Sequence, residues 1–155
     1  MSVVKMLKAH ELFRSLAFED VERISSFTGL MDFEEGENVF SSDSYGSHFY
    51  VVLEGSVNLR LPSEAHEASL VVGRVGKGEM FGLSPLIGSG RHTTTAQCVG
   101  PSNVLAIEAK PLRSMLEEKS LIGLDILSVI AQAYFTRYIE TLKRVQKVVN
   151  EIAAI

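Results

Sequence analysis

HFYVVLEGSVNLRL, residues 48–61, is broken once, by a single glycine. His48 to Leu53 and Ser56 to Leu61 are rich in β-branched, aromatic and aliphatic residues, and Glu54-Gly55 stands between them. Such side chains suit a pleated surface, and glycine supplies the backbone freedom that a tight reversal needs. The stretch therefore predicts a β-hairpin.

The same texture extends in both directions. Further strand-like runs are Gly29 to Phe33, Asn38 to Phe40, Leu70 to Val75, Met80 to Phe81, Thr93 to Val99 and Val104 to Glu108. Glycine-bearing breaks such as Glu35-Gly36-Glu37, Gly76 through Gly78, Gly88-Ser89-Gly90 and Gly100-Pro101 punctuate them. Strands at this spacing, eight with the hairpin, predict a small antiparallel β-roll of jelly-roll type. Helical texture flanks the roll. Val4, Leu7, Leu12, Phe13 and Leu16 sit near helical spacing, and Phe18 to Glu22 opens a second helix with acids in its first turn. After Pro111, a residue suited to a first helical position, a short helix over 111–119 is expected, with Gly123 separating it from a long one running to about residue 150. The expected class is α+β in one domain over 1–155: a helical lead-in at 1–28, the β-roll at 29–108 and C-terminal helices at 111–155.

Composition narrows the function classes. The 155 residues are 46% hydrophobic and 22% charged, which fits one folded domain rather than a disordered chain. A net charge of −4 argues against nucleic acid as a partner, because phosphate binding needs clustered Lys and Arg. Lys143, Arg144 and Lys147 make a small basic cluster that reads as a solvated helix face, with Glu140 four residues before Arg144. One cysteine, Cys98, cannot form an internal disulfide and points to a reducing compartment. The N-terminus has no secretory pattern, and no run approaches the roughly 20 apolar residues that span a bilayer. A cytoplasmic protein without a membrane anchor is expected.

The last helix carries a seam. Leu124, Ser128, Ala131, Phe135, Tyr138, Leu142, Val145, Val149 and Ile152 alternate steps of four and three, an a/d pattern over about four heptads. The alternative is a helix packed on its own domain, for which Ile130, Ala133, Tyr134 and Ile139 would also serve. The seam predicts a homodimer through Leu124, Phe135, Tyr138, Leu142, Val145 and Val149.

Taken in order, Tyr50 to Val57, Gly76-Lys77-Gly78-Glu79-Met80-Phe81-Gly82 and the early Glu35-Gly36-Glu37 turn resemble the cyclic nucleotide-binding domain of the catabolite activator protein family. The resemblance covers nearly the whole chain. It implies a non-enzymatic sensor whose phosphate-binding cassette begins at Phe81-Gly82. In that family a short helix aims free backbone N–H groups at a cyclic phosphate, an acid after Phe-Gly accepts from the ribose, and an arginine before the next strand pairs with the phosphate. The implied contact set here is Phe81, Gly82, Leu83, Ser84, Pro85, Leu86, Arg91, His92, Thr93, Thr94 and, from the long helix, Thr141. Tyr138 and Leu142 also fall where the family faces the base. Ser84 has a second reading as the cap of the short helix, and the threonines as plain strand residues.

The content departs from the family pattern. Leu83 stands for the acid, and Pro85 has no N–H to give. Aligning Thr95 to Cys98 with the family strand puts His92 at the arginine position, whereas a one-residue shift in the Gly88-Ser89-Gly90 loop would restore Arg91. Each lost charge-assisted bond costs about 1.5–3 kcal/mol. Two losses weaken binding by roughly two to four orders of magnitude. The expectation is weak binding of cAMP or cGMP, or a different small ligand, with a ligand-free dimerisation scaffold as the alternative. The family's transcription regulators append a helix-turn-helix; the chain ends at Ile155, and none is expected within it. A cupin-like metal enzyme is a distant alternative, since His48, Tyr50 and Glu54 supply only part of a His-x-His…Glu set, with His92 remote and His10 and His66 in a helix and a loop.

Overall fold

A computed structural model describes residues 2–62 and 69–155. His66 lies outside the described residues. Helices α1 (Val3–Ala9) and α2 (Phe18–Ser25) lead into strands β1 (Thr28–Phe33), β2 (Asn38–Phe40), β3 (His48–Glu54), β4 (Val57–Pro62), β5 (Ser69–Val75) and β6 (Met80–Phe81). A one-turn helix α3 (Ser84–Ile87) precedes β7 (Thr95–Cys98) and β8 (Ser102–Glu108), and helices α4 (Ala109–Glu118) and α5 (Ser120–Ala153) complete the chain. The eight strands form two antiparallel four-stranded sheets, ordered β1-β8-β3-β6 and β2-β7-β4-β5.

The β3 run is continuously apolar because both its faces are buried. Successive strand side chains alternate between faces. Phe49 and Val51 on β3, with Leu105 and Ile107 on β8, face the helices. Tyr50 and Val52, with Val104 and Ala106, face the second sheet. The β3–β8 register pairs like with like, Phe49 opposite Ile107 and Val52 opposite Val104. Two cores result. One holds Phe13, Phe49, Leu112, Met115 and Ile126 between the first sheet and the helices. The other holds Val57, Val75, Phe81 and Cys98 between the sheets.

Several boundaries differ from the sequence expectation. The lead-in has the two expected helices, but the first stops at Ala9 instead of reaching Leu16: residues 10–16 are turns, with Phe13 N–H bonded to His10 O and Leu16 N–H to Phe13 O, each at 3.1 Å. Leu12, Phe13 and Leu16 are still buried, so their apolar spacing reports packing rather than a continuing helix. Pro111 is the third residue of α4, not the first; a first-turn N–H has no intrahelical acceptor, so proline is tolerated there too. The break before the long helix is at Lys119, whose backbone leaves the helical region (φ −119°, ψ 84°). Gly123 lies inside α5 for a packing reason. A Cβ there would stand 2.8 Å from the Leu116 carbonyl oxygen, so the glycine lets the two helices touch. Lys119 is pinned by its Nζ donating to Asp20 Oδ1 at 2.6 Å, which fixes the α4–α5 joint against α2.

Candidate functional site: the cassette cavity

The turn after the short strand β6 and the helix α3 set up one wall of a cavity. At Gly82 the backbone turns through φ +70° between β6 and α3. A Cβ at this position would lie 2.7 Å from Phe40 Cε2 and 3.2 Å from Tyr50 Cδ2, so side chains are excluded by both conformation and space. The cavity beyond has a volume of about 560 Å³. Gly82, Leu83, Ser84 and Ile87 line it from the cassette; His92, Thr93 and Thr94 from the segment before β7; Leu59, Leu61, Val72 and Gly73 from β4 and β5; Phe40 from β2; Tyr134, Arg137 and Thr141 from α5.

The expected contact residues thus divide. Gly82, Leu83, Ser84, His92, Thr93, Thr94 and Thr141 come together around this space. Phe81, Pro85, Leu86 and Arg91 do not line it. Phe81 is fully buried between the sheets, and Leu86 belongs to the helix-side core. Tyr138 and Leu142 are exposed on another face of α5. Ser84 does not cap α3: it is the first helical residue, Leu83 is the cap, and the Ser84 hydroxyl donates to Arg91 O at 2.6 Å.

The choice between Arg91 and His92 is made by a second segment. Asp43 N–H donates to His92 O (2.8 Å), His92 N–H to Ser44 O (2.9 Å) and Gly46 N–H to Gly90 O (2.9 Å). This zipper leaves no room for a one-residue slip. Adjacent extended residues point opposite ways. Arg91 turns outward, where Nη1 donates to Asp43 Oδ1 and Nη2 to the Tyr45 hydroxyl, both at 3.0 Å, and the guanidinium lies 4.8 Å over the Tyr45 ring. His92 turns inward, 3% exposed, and stacks on Phe40 with 3.7 Å between ring centres and 11° between planes. Tyr50 and Phe81 continue the aromatic stack. Gly46 makes the space, since a Cβ there would meet His92 Nε2 at 2.2 Å.

Burial pushes the His92 imidazole below its ordinary value of 6.5, so it is neutral at pH 7 and presents no cation to an anion. The unfolded chain keeps the ordinary affinity for protons and so binds more of them below that pH. Stability from this group is therefore whole above about pH 6.5 and lost as the pH falls from there toward the depressed folded value. His92→Asn is expected to flatten that acid limb. Urea unfolding at paired pH values checks this, and a limb unchanged in the variant would contradict it.

Among the described residues that line the cavity the one cation is Arg137, which the sequence reading did not single out. It sits on the cavity-facing side of α5, between Tyr134 and Thr141 at steps of three and four. Its Nη2 donates to Met80 O at 2.7 Å, and its guanidinium lies 5.1 Å over the Tyr134 ring. Burial raises the Tyr134 phenol above its ordinary value, and the Arg137 charge works against that rise. Phe40 was also missed; a three-residue strand gives little periodicity to reveal which way its aromatic points. The metal alternative finds no convergent group: among the described residues no three His, Cys, Asp or Glu side chains gather, and Glu54 pairs with Lys77 at 2.7 Å. Cys98 is buried, and burial first, then the nearby Glu37 charge, raises its thiol, against a hydrogen bond with Ser102.

The two-sheet roll thus closes over a cavity, with a glycine-hinged short helix on one side and a long helix on the other. The match to the family model described as "Cyclic nucleotide-binding domain" runs over residues 30–119. The chain belongs to that family. It is 25% identical over 127 residues to the cyclic AMP receptor protein of Thermus thermophilus, covering 81% of this chain and 58% of that protein. It is 28% identical over 99 residues to a cAMP-dependent protein kinase regulatory subunit of Mycosarcoma maydis, covering 64% of this chain and 18% of that one. The chain thus spans under two thirds of both relatives. A crystal structure from Geobacter metallireducens GS-15, named for cyclic nucleotide binding, superposes with a TM-score of 0.77 at 28% identity, covering 89% of this chain and 99% of that one. No helix among the described residues is long and apolar enough to cross a membrane.

Proposed function

We propose that this domain is a non-enzymatic regulatory sensor whose cavity holds a small ligand other than a tightly bound cyclic nucleotide. The observation that carries the reading is the orientation of the Arg91-His92 pair. The arginine is engaged with Asp43 and Tyr45 outside the cavity, and the residue that takes its place inside is a neutral, stacked histidine. Leu83, at the position of the family's ribose-binding acid, is 1% exposed and packs in the helix-side core. Pro85, in the first turn of α3, removes a donor from the backbone that would face a phosphate. The frame of the cassette is kept and its polar anchors are not. A ligand that touches both the cassette and α5 would shift the position of α5 by as much as it favours one arrangement over the other.

Self-association through α5 completes the proposal. The helix has two apolar faces. Ile126 and Ile130 are buried against the domain, with Ala133 and Tyr134 partly buried beside them. Leu124, Phe135, Tyr138, Leu142, Val145 and Val149 are 45–64% exposed along the seam. A stripe of that length is what a second, identical helix would cover. For the ligand reading, thermal unfolding with cAMP and cGMP is expected to show no shift at about millimolar ligand, since mass action raises stability only well above the Kd. A shift of several degrees at micromolar concentration would overturn it.

A further inference from the structure

We propose that the cavity takes a small amphiphilic monoanion, an apolar body carrying one carboxylate, and that Arg137 of α5 meets the charge. This rests on the reading of the cavity as a ligand site. The space of about 560 Å³ lies within the range of small-molecule pockets. Leu59 and Val72 of the β4–β5 sheet and Leu83 and Ile87 of the cassette give it apolar walls. Against these stands, among the described residues, a single charge. Arg137 is half-buried, and among the described residues no carboxylate lines the cavity or pairs with it. A guanidinium has five N–H donors; among the described residues Arg137 gives one to Met80 O and has the Tyr134 hydroxyl within reach, which leaves donors over for a ligand. That bond and the Tyr134 ring hold the fork in place, so a carboxylate would meet a donor set already oriented.

The other polar groups limit what the body of the ligand can be. The Ser84 hydroxyl donates to Arg91 O, and the Thr141 hydroxyl donates to Arg137 O at 3.0 Å. His92 is stacked face-on against Phe40. The Thr93, Thr94 and Tyr134 hydroxyls also line the space, but a sugar or a base would bring more donors and acceptors than these can match against the apolar walls, and unpaired polar groups are costly to bury. An alkyl or aryl body makes no such demand of the Leu59, Val72, Leu83 and Ile87 walls. Because the anion-binding group belongs to the long helix, such a ligand would tie α5 to the roll.

The test compares octanoate with octanol, which share an apolar body and differ in charge, by calorimetric titration of the whole chain near neutral pH. The expected result is octanoate binding at least about tenfold tighter than octanol, a preference lost in Arg137→Gln and partly kept in Arg137→Lys, with octanol binding little changed. Equal affinities in the wild type would overturn the assignment of the acid while leaving a neutral-ligand cavity. No binding of either compound at low millimolar concentration would overturn the assignment together with the reading it rests on. The wild-type comparison stands by itself should Arg137→Gln fail to fold.

Discussion

Gly55→Ala is expected to lower the unfolding free energy by about 3 kcal/mol, a fall in Tm of roughly 6–12 °C for a domain of this size. Two costs combine. Gly55 turns the β3–β4 hairpin at φ +94°, a conformation that costs an L residue about 1–3 kcal/mol. A Cβ would also stand 2.2 Å from Ser102 Oγ and 2.7 Å from both Ser102 Cβ and Pro101 O. Rotating the serine hydroxyl away does not relieve the clash, because the backbone carbonyl and Cβ remain. Overpacking of this kind adds about 1–3 kcal/mol. Gly36 is the internal control: its φ is +84°, yet nothing lies within 4 Å of its Cβ position. Gly36→Ala should therefore lose only the conformational part. Denaturant unfolding of both variants checks the difference, and equal losses would contradict the packing argument.

The second large effect concerns the seam. Leu142→Asp is expected to weaken self-association by at least about 100-fold, converting a dimer to a monomer in sedimentation velocity. Leu142 is 45% exposed in the isolated chain, so the domain itself should tolerate the change. In a parallel pair of helices the two aspartates would face each other in a desolvated seam, where an unpaired charge costs several kcal/mol. Helical content should stay close to wild type by circular dichroism. A dimer of unchanged affinity would remove the seam from the proposal.

Much of the fold was legible because its signals were local. Each strand run was apolar enough to name, and the glycines at 55, 78 and 82 stand where the backbone has positive φ. The alternation along β3, with Phe49 and Val51 toward the helices and Tyr50 and Val52 toward the second sheet, follows from a period of two. Errors arose where a residue's reason was non-local. Gly123 looks like a break in sequence, but it is a contact point for the Leu116 carbonyl. The turns at residues 10–16 share apolar spacing with a helix because Leu12, Phe13 and Leu16 pack inward all the same.

The site was harder for the same reason. Whether Arg91 or His92 faces inward depends on hydrogen bonds to Asp43, Ser44 and Gly46, about 45 residues away in sequence. Arg137 carries no motif, and its meaning comes from where α5 lies over β6. Its position three residues after Tyr134 and four before Thr141 was a usable signal, but only once Thr141 had been assigned to the cavity.

The most direct test of the central claim is a calorimetric titration of the wild-type chain with cAMP. The claim is that the cassette keeps its shape while its anchors for a cyclic phosphate and a ribose are gone. It predicts no saturable heat up to about millimolar ligand, an affinity weaker than roughly −4 kcal/mol. Saturable binding with a micromolar Kd would contradict it.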